Sequence, residues 1–147
     1  MVKFSKPFWV ANIVELLERL AYYAVFIVIT LYLSNVWGFS DIQAGFIAGL
    51  FSAMLYLLPV FAGAISDKIG FRSAIILAFA LLTLGYGGLG ILPTMSENAG
   101  LVDYQMTTTY TGLQESPLQW SIIAPLVLVV IGGSFIKSVI SGTVARE

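Results

Sequence analysis

Four long apolar stretches, separated by small groups of charge, dominate this chain. They run over about 8–33, 42–66, 73–92 and 121–144. Each reaches the ~20 residues that a ~30 Å hydrocarbon layer demands of a helix. Backbone groups in lipid must be satisfied internally, and the period-two alternation of a barrel strand is absent. The expectation is therefore an all-α integral membrane fold with four transmembrane helices. Composition enters as support. Only 10% of the residues are charged and 59% are hydrophobic. A soluble domain carries roughly 25% charge, so this chain could not cover a soluble exterior. The formal net charge of −1 leaves no basic footprint for nucleic acid. With no Cys and no His, thiol nucleophiles, Ser-His-Asp triads and the usual zinc sites drop out. The reading is of a non-enzyme with no cofactor and no metal, whose surroundings are a lipid bilayer.

The first stretch is too long and too charged for the apolar region of a signal peptide. Lys and Arg in short loops set orientation. Lys3 and Lys6 precede the first span, and Lys68 and Arg72 lie between spans two and three. Arg146 follows span four, whereas the connections 34–41 and 93–120 carry no Lys or Arg. This alternation predicts a plasma-membrane protein with both the N-terminus and residue 147 cytoplasmic. Trp9, Trp37 and Trp120 fall at span ends, where an aromatic belt would place them. The connection 93–120 is long. It reads as a solvated external loop or as a lid over an external vestibule.

The first span carries charge where lipid would reject it. Glu15, Glu18 and Arg19 lie roughly 10–16 Å along the helix from Phe8. Each costs about 2.5–3.5 kcal/mol at a span's centre on an insertion scale. On a helical projection Glu18, Tyr22, Glu15, Arg19 and Asn12 share an arc of about 120°, with Tyr23 just beyond it. The opposite face is Val, Ile, Leu and Phe. Glu15 and Arg19 are i,i+4 in the favoured order and could form an internal ion pair. Such a pair leaves Glu18 unpaired, and a lone buried carboxylate tends to take a proton. Two readings follow: a structural ion-pair network, or a binding and proton-handling site.

The run Glu15-Leu16-Leu17-Glu18-Arg19-Leu20-Ala21-Tyr22-Tyr23-Ala24 resembles the E-x-x-E-R-F-x-Y-Y-G signature of proton-dependent oligopeptide transporters, a family of the major facilitator superfamily. Leu20 replaces the usual Phe and Ala24 the usual Gly. A second run, Gly63-Ala64-Ile65-Ser66-Asp67-Lys68-Ile69-Gly70-Phe71-Arg72, resembles the superfamily pattern G-x-x-x-D-R/K-x-G-R/K-R/K, with Phe71 in place of a basic residue. Pro59, Gly63 and Asp67 recur at i,i+4 and so can meet one partner helix. The resemblance implies that Gly63, Asp67, Lys68, Gly70 and Arg72 form a gating latch to a helix of the other half. A third run, Gly133-Ser134-Phe135-Ile136-Lys137-Ser138-Val139-Ile140-Ser141, looks like the family's G-G/S-F-L-K-P-N-V-S segment. Ser138 and Val139 stand where Pro and Asn are usual. The glycines of 85–90 and the Gly45-x-x-x-Gly49 pair lie inside spans, so close helix packing accounts for them better than a phosphate cradle.

The resemblance implies the N-terminal portion of a six-helix half, with further helices of the transporter C-terminal to it. It implies proton-coupled symport of small peptides or related solutes by alternating access. Arg19 would hold a substrate carboxylate, Asn12, Tyr22 and Tyr23 would line the pocket, and Glu15 and Glu18 would handle the proton that serves as coupling ion. A major facilitator for another small-molecule solute and a four-helix membrane scaffold without substrate are the alternatives. Lys137 completes the expectation. It lies at a depth of roughly 13 Å, near that of the carboxylates. Opposite charges at equal depth in lipid should pair, so Lys137 should face helix one and contact Glu15 or Glu18 in at least one state.

Overall fold

The computed structural model describes residues 6–100 and 117–144. The order is α1 (Lys6–Asn35), α2 (Asp41–Ile69), α3 (Phe71–Asn98), a 3-10 turn (Pro117–Ile122) and α4 (Ile123–Val144). Among the described residues there is no strand, and all four helices are long and apolar enough to cross a bilayer. The fold is thus an all-α membrane bundle in which successive helices run antiparallel.

Helix α4 is the centre of the bundle. Its apolar window is 61% buried, against 17–22% for the windows of the other three. The reason lies in small residues on α3 and α4, which let two backbones approach closely. A methyl group at Gly85 would sit 2.6 Å from Val129 Cγ2 and 3.0 Å from the Pro125 carbonyl oxygen. One at Gly132 would sit 3.0 Å from the Ala78 carbonyl oxygen. Gly45 and Gly49 behave otherwise. No atom lies within 4 Å of a methyl placed at either, so they line an open face and the expected close packing is not made by the described helices.

Two turns set the helix directions. Gly70 alone separates α2 from α3, at φ +85°, a conformation that glycine adopts without penalty. Its N–H bonds the Ser66 carbonyl and its carbonyl accepts from Ala74 N–H. At the other end Gly38 has φ +69°. There Ser40 caps α2 reciprocally: its hydroxyl accepts from Gln43 N–H at 3.3 Å, and its own N–H donates to Gln43 Oε1 at 3.1 Å. The Gly38 turn folds its neighbours inward, so Trp37 is 0% exposed and Phe39 is 3% exposed. The aromatic-belt expectation therefore fails for Trp37, which closes the core, whereas Trp9 and Trp120 stay exposed.

The expected loop at 93–120 begins later than the sequence suggests. Helix α3 continues through Pro93 to Asn98, and only Ala99 and Gly100 turn away from it. Proline reads as a stop in a soluble helix, but a helix packed among neighbours tolerates it. The polar run Thr107–Tyr110, Asp103 and Glu115 lie outside the described residues, as do Lys3 and Arg146.

Two apolar clusters fill the interior. One, toward the Gly38 end, joins Tyr22, Ile29, Leu33, Trp37, Leu55, Ile122 and Val129 among others. The other, toward the Gly70 end, joins Ala11, Ala62, Ala78, Phe135 and Ile140. On α1, Glu15, Glu18 and Arg19 lie between Ala11 of the second cluster and Tyr22 of the first, and the Lys137 ammonium of α4 reaches the Tyr22 ring.

Candidate functional site

On α1, successive turns bring Glu15, Glu18, Arg19 and Tyr22 to neighbouring positions on the flank that meets α2 and α4. Arg19 donates to Glu15 Oε1 at 3.4 Å, and their side chains remain 37% and 41% exposed. This i,i+4 pair is long and open. Much of the guanidinium's donor capacity is left for another acceptor. Among the described residues it is the one ion pair.

Glu18 points at α4. Its Oε1 lies 3.5 Å from where a methyl on Gly133 would sit, an ordinary contact distance that places the carboxylate against α4. Its Oε2 is buried and accepts no hydrogen bond. Lys137, one turn further along α4, has a buried ammonium with no hydrogen-bond partner. Its Nζ stands 4.7 Å from the Tyr56 ring centroid and 5.3 Å from that of Tyr22. Both are within cation–π range.

The expected direct contact between Lys137 and a carboxylate is not made in this structure. Helical side chains lean toward their N-terminus. On α4 that lean points Lys137 toward the Gly38 end, and its Nζ lies over the Tyr22 and Tyr56 rings.

Tyr22 is 3% exposed, and its hydroxyl lies 3.2 Å from Ser52 Oγ. Its ring stacks on Phe26 at 5.6 Å and on Phe51 at 6.2 Å. Tyr23 meets it edge-on at 5.3 Å but is half exposed. Asn12 is not brought to this group. It is exposed, and its amide donates to the Phe8 carbonyl of its own helix at 2.7 Å. Tyr56 and Ser52 belong to the site yet were not singled out in the sequence. Their signal is a polar pair at i,i+4 in an otherwise apolar helix, which puts both on one face.

The motif around Gly70 lies at the far end of α2. Gly63 faces α4, where a methyl would meet Ser138 Oγ at 2.9 Å. Asp67, Lys68, Gly70 and Arg72 are exposed at the turn. Pro59, Gly63 and Asp67 therefore do not share one partner within this chain. Phe71, where a basic residue is usual, packs into the second cluster with its Cζ 3.0 Å from a methyl built at Gly142.

No family model matches the chain, and no solved structure matches it. Curated proteins do. Dipeptide and tripeptide permease B of Photorhabdus asymbiotica is 39% identical over 90 residues, covering 59% of this chain and 18% of the relative. The same permease of Photorhabdus luminescens is 36% identical over 110 residues, 73% of this chain and 22% of the relative. Dipeptide and tripeptide permease A of Erwinia pyrifoliae is 28% identical over 111 residues, covering 75% of this chain and 22% of the relative. The chain thus spans about a fifth of the length of the curated relatives it matches. Four apolar helices, a half-buried acid and base among them and these matches lead to one assignment: the chain belongs to the dipeptide and tripeptide permeases, the proton-dependent oligopeptide transporters.

Proposed function

We propose that this chain is the N-terminal part of a proton-coupled transporter of small peptides, working by alternating access around the seam between the two apolar clusters. One observation carries the reading. The Glu18 Oε2 and the Lys137 ammonium are both buried, and neither has a hydrogen-bond partner. A purely structural network would be expected to join them, because an unsatisfied buried charge is costly. With the ammonium over two tyrosine rings rather than on the carboxylate, both groups are free to respond to a proton or a ligand.

The roles follow from the geometry. The Glu18 carboxylate takes the coupling proton, and its neutral form removes the counter-charge that faces Lys137. Lys137 then relies on the Tyr22 and Tyr56 rings and on any anionic group of a bound peptide. Arg19, with donors left over from its long bond to Glu15, presents a planar fork to a peptide carboxylate. Tyr22 and Tyr23 line that approach, while Asn12 is exposed with its amide N–H on the Phe8 carbonyl, away from this group. The exposed Asp67, Lys68 and Arg72 at the Gly70 turn are left for a helix beyond this chain, and the positive charge of Lys68 and Arg72 supports a cytoplasmic position for that turn.

The test is dipeptide uptake into proteoliposomes containing the intact transporter, with and without an inward proton gradient. Gradient-driven accumulation supports the reading. Uptake that ignores the gradient removes the coupling role of Glu18, and no uptake of any dipeptide removes the substrate class.

A further inference from the structure

Pro93 lies inside α3 and has no N–H. In a regular helix the N–H of residue 93 would bond the carbonyl of residue 89. The Leu89 carbonyl is therefore deprived of its ordinary donor, in an apolar surrounding where an unsatisfied group is costly. The structure supplies another donor from a different helix. The Tyr32 hydroxyl of α1 donates to the Leu89 carbonyl oxygen at 2.5 Å. Tyr32 is half-buried, and Tyr32, Leu89 and Leu92 all pack against the apolar cluster at the Gly38 end. Elsewhere the backbones of α1 and α3 do not approach one another among the described residues, since α4 and α2 lie between them.

We propose that the Tyr32 phenol takes the place of the amide hydrogen that Pro93 lacks, and so clasps the C-terminal end of α1 to the proline-bearing end of α3. Three features meet here: a freed carbonyl, a phenol long enough to cross the gap, and, among the described residues, two helices whose backbones make no close approach. Tyr32 is then a positioning residue. It holds the end of the helix that carries Glu15, Glu18 and Arg19, without touching that site. Separating α1 from α3 at the Gly38 end requires breaking this bond and exposing the Leu89 carbonyl. The inference stands independently of any transport role.

A double-mutant cycle on the intact protein in detergent tests it. Tyr32→Phe keeps the ring and removes the donor. It should lower the folding equilibrium constant by roughly two- to tenfold, the range for one hydrogen bond. Pro93→Ala restores an N–H that can bond Leu89, so on that background Tyr32→Phe should cost less than about twofold. Equal losses on both backgrounds would overturn the proposal. Hydrogen exchange gives a second readout in case Pro93→Ala alters the helix. Tyr32→Phe alone should speed exchange over 90–98 and leave 71–80 unchanged. Uniform acceleration of both segments, or acceleration of neither, would equally overturn it.

Discussion

Two glycines two positions apart on α3 should respond in opposite ways to the same substitution. Gly85→Ala places a methyl 2.6 Å from Val129 Cγ2, 2.9 Å from the Val129 nitrogen and 3.0 Å from the Pro125 carbonyl oxygen. Two of those atoms are backbone of the central helix, so no rotamer change relieves the contact. α3 and α4 must separate by several tenths of an ångström along the interface that builds the bundle. Overpacking of this kind costs about 1–3 kcal/mol. Alanine recovers about 1 kcal/mol through its better helix propensity. Because the clash is with backbone, the upper part of the overpacking range applies, and the net loss should be about 1–2 kcal/mol. Gly87→Ala meets no atom within 4 Å. Only the propensity gain remains there, so stability should rise by up to about 1 kcal/mol. Thermal unfolding of both variants in one detergent separates them, with a gap in Tm of about 4 °C or more. Were Gly85→Ala as stable as Gly87→Ala, the α3–α4 backbone approach would not be the contact that holds the bundle together.

Three more outcomes are expected. Phe71→Arg withdraws a ring from Gly142 and the cluster around Ala74 and Val139. It should destabilise the bundle by roughly 1–3 kcal/mol by thermal melting, whereas Arg72→Ala, at an exposed position of the same turn, should change it by less than ~0.5 kcal/mol. Lys137→Met replaces an ammonium without hydrogen-bond partners by an apolar chain of similar length. It should leave insertion and melting near the parent values while dipeptide uptake by the intact transporter loses its response to the proton gradient; retained coupling would remove Lys137 from the mechanism. Arg19→Lys keeps the charge and loses the planar fork. It should raise the apparent KM for a carboxylate-bearing dipeptide, and an unchanged KM at equal expression would leave Arg19 as no more than the partner of Glu15.

The four spans were legible in the sequence because bilayer thickness imposes a length on an apolar run, and the charge groups mark where each run stops. The acid–base composition of the site was legible for a related reason. Charges in mid-span are so costly that Glu15, Glu18, Arg19 and Lys137 stand out without any knowledge of what they face. The tertiary structure decided everything that depends on which way a helix is turned. These helices are apolar on nearly all sides, so hydrophobicity does not choose a partner face. Small residues and backbone geometry do. Gly85 packs while Gly45 and Gly49 do not, Trp37 turns inward at Gly38, and Ser52 and Tyr56 join the site because α2 presents that face to α1 and α4. The end of α3 was hidden for a different reason. Pro93 lies inside α3 instead of ending it, and the hydroxyl that bonds the freed Leu89 carbonyl belongs to Tyr32, 57 positions earlier in the chain than Leu89.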